Sequence, residues 1–149
     1  MNRDLLNTFS VEEVYGVLHD MAPLKAHGLD DFTAGFFQKN WSIVGKDICQ
    51  AILSTLNSGV LPPFLNRTNI ALIPKIKNPI SVTDFRPISL CNVMYKMISK
   101  MLVNRLKKIL PHIISPAQSA FIPVRLITDN VLATYETLHT MHSRMKGKK

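Results

Sequence analysis

The stretch Thr68–Leu90, TNIALIPKIKNPISVTDFRPISL, limits what this chain can build more than any other. Its apolar run Ile70-Ala71-Leu72-Ile73 is closed by Pro74. So short a run between polar and proline-bearing segments reads as a buried strand. A polar loop and a second apolar run, ending at Ile88-Ser89-Leu90, complete the pattern of a hairpin. Lys75 and Lys77 follow the first run at once, and Arg86 stands in the second half, so the cations gather near the loop. Cations on a stiff β-scaffold suit phosphate: arginine offers a planar fork for its oxygens, lysine a mobile point charge. A solvated loop with scattered positive charge remains the plainer reading of the same residues.

The rest of the chain accounts for how such a hairpin is supported. With 149 residues, 46% apolar and 19% charged, it has the material for one globular domain, residues 1–149, with a modest core. No repeat, linker or low-complexity tract divides it. Lys plus Arg outnumber Asp plus Glu by 18 to 10, a net charge of +8 that points to a polyanionic partner, most simply RNA or DNA. No apolar run approaches the roughly 20 residues that would span a bilayer. The N-terminus lacks the apolar core of a signal peptide. Cys49 and Cys91 sit far apart in apolar-rich segments, as reduced thiols of a cytoplasmic or nuclear protein would.

Taken in order, Ser10-Val11-Glu12-Glu13 is a capping box, and Val11, Val14, Tyr15 and Leu18 recur at helical spacing, so a helix is expected over Val11–His19. Lys25–Phe32 is turn-like. Thr33–Trp41 reads as a short aromatic-rich helix, its rings serving as core more than as stacking surface. A longer helix is expected over Val44–Asn57, ended at Ser58-Gly59, and both helices are expected to cover the sheet. Asn92–Leu110 carries a broad apolar stripe from Met94 to Ile109, with Pro111 as its stop. Ser115-Pro116-Ala117-Gln118 is another helix-start signature. A last helix begins at Thr128-Asp129-Asn130, with Val131, Leu132, Tyr135, Leu138 and Met141 facing inward. His139 and His142 on it have a spacing that suits a metal, but no third ligand is in view.

Three ordered blocks carry a resemblance: IALIPK, DFRPISL and, at Gln118–Asn130, QSAFIPVRLITDN. Together they resemble the fingers-side blocks of reverse transcriptases of non-LTR, LINE-type retrotransposons, the plant enzymes most of all. The resemblance runs from about Leu5 to about Lys149. It implies an α+β fold: helix-rich fingers and partial palm of a right-hand polymerase, with a small β-hairpin sheet. It also implies that Arg86 contacts the triphosphate of an incoming nucleotide, and that Arg125 lies beside the template strand or that nucleotide.

The chain departs from the family pattern in places. Where the family carries KAPGPDG, this chain reads Lys25-Ala26-His27-Gly28-Leu29-Asp30-Asp31, which loses two prolines and the last glycine. A positive φ at that last position would be strained for Asp31. Val124 stands where the family has glycine. Two-metal catalysis needs paired aspartates, and the resemblance places these beyond a Lys-Gly-Lys segment like the one at the end of this chain. The sequence is thus expected to be a fragment short of the remaining palm and thumb, inactive alone, with no Mg²⁺ of its own. Its binding to RNA or DNA would be weak and salt-dependent. The alternative is a decayed transposon-derived protein with no biochemical activity.

Overall fold

The computed structural model describes residues 5–115, 118 and 126–146. The chain divides into two compact units, one of Leu6–Val103 and one of Met1–Leu5 with Asn104–Lys149.

The larger unit is built on helices. Helix α1 spans Val11–His19 and starts as the sequence predicts: the Glu13 N–H donates to Ser10 Oγ at 3.3 Å, and the Glu13 carboxylate accepts from the Ser10 N–H at 3.0 Å. Its inner face buries Val14, Val17 and Leu18. The Gln38 side-chain amide donates to the Leu18 and Met21 carbonyls at 2.8 and 2.9 Å, which ties it to the chain where α1 ends. Helix α2, Ala34–Lys39, and helix α3, Trp41–Ser58, are separated at Asn40, whose φ of −103° and ψ of 20° break the ladder. Trp41 therefore opens α3 instead of closing the aromatic helix. Helix α3 ends at Gly59, whose φ of 70° is the left-handed cap that only glycine supplies without strain.

One apolar cluster joins these helices. It takes Leu18 from α1, Ile48, Cys49 and Ile52 from α3, Leu65 from the connection, and Val93, Met97 and Met101 from the next helix. Leu18, Ile52 and Met97 are fully out of water. Each such side chain contributes roughly 1.5–3 kcal/mol on burial. Phe37 and Trp41 pack on this cluster, while Phe36 stays more open in a separate ring group with Phe32 and Phe37.

Strands β1, Asn69–Pro74, and β2, Phe85–Leu90, pair antiparallel as the sheet of the described residues, with Leu72 opposite Pro87 and Ile73 opposite Arg86. The fold class is the expected one, helix-rich with a small two-stranded sheet. Two expectations about the sheet are overturned. β1 is not buried: Ile70 is 66% exposed and Leu72 54%. The helices do not cover it either, because their apolar stripes are spent on one another. The Lys75 N–H donates to the Asp84 carbonyl at 2.7 Å. Counting by twos along the ladder from that bond, Pro74 and Pro87 fall at positions whose nitrogen faces away from the partner strand. A missing N–H is tolerated there, on the outer edge of each strand.

Helix α4, Val93–Ile113, follows. Asn92 caps it, its Oδ1 accepting from the Tyr95 N–H at 2.8 Å. Pro111 does not stop this helix, which continues to Ile113, with the Ile114 N–H still donating to the Leu110 carbonyl at 3.0 Å. Proline this close to the end removes one bond of the last turn and leaves the remainder of the ladder in place.

In the smaller unit the Arg105 guanidinium is buried and donates to the Leu5 carbonyl at 3.3 Å. Helix α5 spans Ile127–Lys146, and the Asp129 carboxylate accepts from the Leu126 N–H at 3.1 Å at its start. Val131, Leu132, Tyr135, Leu138 and Met141 are exposed, not inward as their spacing implied. Amphipathic spacing identifies the apolar face of a helix but not whether anything lies on it.

Candidate functional site

The hairpin places its cations by register. Side chains alternate between the two faces of a strand. Ile73 and Arg86 are cross-strand partners, so Arg86 shares a face with Ala71, Ile73 and Ile88. Lys75 lies two residues beyond Ile73 on the same face, diagonal to Arg86, within reach of a long side chain. Both cations are exposed. Lys77 lies further out, in the loop, and is exposed as well. The structure thus brings Lys75 and Arg86 to one face and leaves Lys77 at the tip. Arg125 lies outside the described residues, as does Val124.

The loop is braced from within. A 3-10 turn, Val82–Asp84, is capped by Ser81. The Asp84 carboxylate accepts from the Ser81 and Ile80 N–H groups at 2.9 and 3.0 Å. Those two bonds, the one from Ser81 first, hold its carboxyl below the usual carboxylate range. Asp84 is therefore engaged with backbone N–H groups of its own loop. The Lys75 ammonium donates to the Thr83 carbonyl at 2.8 Å, which ties the lysine across the base of the loop. An ammonium carries three donors, so this tether is compatible with a further bond to an anion.

A second element reaches the base of the hairpin, and sequence reasoning missed it. The turn at Gly28 lies against the junction of β2 and α4: a Cβ at Gly28 would stand 2.4 Å from the Asn92 nitrogen and 2.8 Å from the Cys91 carbonyl carbon. The Asn92 side-chain amide donates to the Leu65 carbonyl at 3.4 Å, and the Lys96 ammonium donates to the Ala26 carbonyl. No local signal marks Asn92 or Lys96 for this work, because their partners lie far away in sequence. In the same turn Asp31 has a φ of 56°, the strained position anticipated for a residue standing in place of glycine. His27 Nδ1 lies 3.1 Å from Asp31 Oδ1, so two of the residues that depart from the family pattern touch each other.

A braced hairpin with two exposed cations on one face, followed by a capped helix, accords with the family comparison. The model described as reverse transcriptase (RNA-dependent DNA polymerase) matches residues 73–149, just over half of the chain. The chain belongs to the reverse transcriptase family. It is also 34% identical over 130 residues to the transposon TX1 uncharacterized 149 kDa protein of Xenopus laevis. That alignment covers 87% of this chain and 10% of the relative, so the chain spans about a tenth of the relative's length. The family's fold is the right-hand polymerase, and the end of β1, all of β2 and α4 lie within the matched region.

No group of three His, Cys, Asp or Glu side chains stands close enough to hold a metal among the described residues. Asp84 serves the loop, Asp129 the start of α5, Asp31 meets His27, and Asp20 lies 3.7 Å from Lys100. The described carboxylates do not fit a two-metal site. No described helix is long and apolar enough to cross a membrane.

Proposed function

We propose that these residues are the fingers-side part of a non-LTR retrotransposon reverse transcriptase, of the LINE type their blocks resemble most in plants. In it the β1–β2 hairpin grips phosphate. Arg86 and Lys75 take the oxygens of an incoming triphosphate or of a nucleic-acid backbone, Lys77 adds charge at the tip, and Arg125 contacts template or primer. The observation that carries this reading is the shared face of Lys75 and Arg86 together with the engagement of Asp84 by backbone N–H groups. An arginine whose neighbouring acid is occupied keeps its charge for a ligand. The chain by itself is proposed not to polymerise and to bind no Mg²⁺ pair, because its carboxylates are spread over separate elements.

The test is binding of a labelled single-stranded RNA across a salt series. Each phosphate contact contributes about 0.7 to the log–log salt slope for single strands. Arg86→Gln and Lys75→Gln should each flatten the slope by about that amount, while Lys39→Gln on α2 should not. An unchanged slope in Arg86→Gln removes it from the site. Wild-type protein that folds but binds no RNA supports the decayed, inactive element instead. Primer extension on a poly(rA) template with Mg²⁺ or Mn²⁺ should give no product. Extension that co-purifies with the chain overturns the inactivity.

A further inference from the structure

Ile80, in the hairpin loop, is 97% exposed, more than any other large apolar side chain among the described residues, yet its backbone is pinned. Its N–H donates to the Asp84 carboxylate at 3.0 Å, and the Ser81 N–H donates to the same oxygen at 2.9 Å. Pro79 fixes φ immediately before it. The Lys75 ammonium and N–H close the loop on the Thr83 and Asp84 carbonyls. Val82 and Ile76 are exposed in the same loop. All three side chains are β-branched and turn little at χ1. A single apolar side chain in water is ordinary. Stiff aliphatics held out by a backbone that cannot fold them away are a shaped apolar tip.

We infer that the hairpin tip is a wedge: Ile80, supported by Val82, enters between neighbouring bases of a bound single strand of RNA or DNA and unstacks them. The inference rests on the phosphate-gripping reading of the same hairpin. Charge selects the occupant. Lys75 and Lys77 flank Ile76, Arg86 shares the face of Lys75, and Asp84 is the sole acid between Lys75 and Arg86. That acid is taken up by N–H groups of its own loop, so the tip offers cations and aliphatics with no carboxylate left to repel phosphate. A nucleic-acid strand presents the complement, charged phosphates alternating with flat base faces. Isoleucine is among the side chains that can part a base step, and a stiff mount suits that task. A lipid surface is the poorer fit. Ile76, Ile80 and Val82 together carry fewer carbons than one myristoyl chain, which alone anchors only marginally.

The experiment uses the full 149-residue chain and a single-stranded RNA carrying 2-aminopurine between adenines, whose emission is quenched while the bases stack. Binding is read from the anisotropy of a terminal dye across a salt series, and unstacking from the 2-aminopurine emission at saturation. Wild-type protein should raise that emission severalfold. Ile80→Ser should lose most of the rise and keep the wild-type salt slope, whereas Arg86→Gln should flatten the slope and keep the rise once saturated. Both side chains are exposed, so both variants should keep the wild-type circular dichroism. Asp84→Ala, which releases the Ile80 N–H, should weaken the rise with Ile80 still in place. RNA bound with a phosphate-type salt slope but no rise overturns the wedge and leaves the phosphate reading standing, while no binding at all overturns both. A full rise in Ile80→Ser or in Asp84→Ala overturns the braced wedge. Ile80-dependent co-sedimentation with phosphatidylserine vesicles, without a rise on RNA, assigns the tip to a lipid surface and overturns it too.

Discussion

The helical cluster and the hairpin of the larger unit are made from similar residues and end in opposite environments. Leu18, Ile52 and Met97 have no contact with water, while Ile70 and Leu72 keep more than half of their surface in it. Hydrophobicity does not separate the two sets. Geometry does: each helix gathers its apolar residues into one stripe, and several stripes close on a common centre. A strand sends alternate residues to two faces, and a two-stranded sheet has no layer of its own to cover either. Stability should therefore reside in the helices, while the hairpin is free to spend its surface on a ligand.

Substitutions test that division most directly where it is sharpest. Leu18→Ala or Ile52→Ala should cost about 2–5 kcal/mol by denaturant unfolding, the range for a buried aliphatic truncated to alanine. A cost below ~1 kcal/mol would mean that the cluster is looser than its burial indicates. Gly28→Ala should come next, at about 1–3 kcal/mol. The new methyl meets backbone at Asn92 and Cys91, which cannot swing aside as a side-chain end can. If Gly28→Ala is neutral in the same assay, the turn does not bear on the β2–α4 junction.

Burial also raises the Cys49 thiol above its ordinary pKa, with the Glu12 charge a lesser cause. Cys49 should thus resist a thiol reagent at neutral pH until the chain unfolds, and labelling at the rate of a free thiol would show the cluster opening.

On the hairpin side, Leu72→Ser should change stability by no more than about 0.5 kcal/mol, because Leu72 already has more than half of its surface in water. A larger loss would show that the sheet is covered in solution. The loop brace has its own pH signature. The Asp84 carboxyl is depressed in the folded chain, so its contribution is complete above the ordinary carboxylate range and is lost as pH falls through the lowered value. Amide-exchange protection at Ile80 and Ser81 should be intact at neutral pH and disappear only on acidification below the ordinary carboxylate range. Protection unchanged into stronger acid would mean that the loop holds without that carboxylate.

Much of this was legible in the sequence, for identifiable reasons. The α1 cap follows from Ser10 and Glu13, three apart, and the end of α3 from Gly59; both are local codes. The hairpin followed from two short apolar runs around a polar loop. The sequence could not give the exposure of β1 or α5, since cover comes from distant residues. Nor could it show that Pro111 sits close enough to the end of α4 to be absorbed. Of the candidate site, Lys75 and Arg86 were named from type and position, but their common face depends on register, which a single bond at Lys75 and Asp84 settles. The Gly28–Asn92 approach joins residues far apart along the chain, and no spacing rule reports it. The strain at Asp31 was foreseen as a condition; its contact with His27 was not.

The outward-facing nitrogens of Pro74 and Pro87 have a bearing on how the chain survives its own synthesis. An uncovered hairpin with apolar faces is the kind of template on which another extended segment can add and fibrils can grow. A strand arriving at either outer edge would need the donors of that edge, and proline removes one from each. Pro87 stands in the middle of its edge, where the gap interrupts any continuous new ladder. The hairpin can thus remain open to a ligand on its face while being a poor seed at its rims.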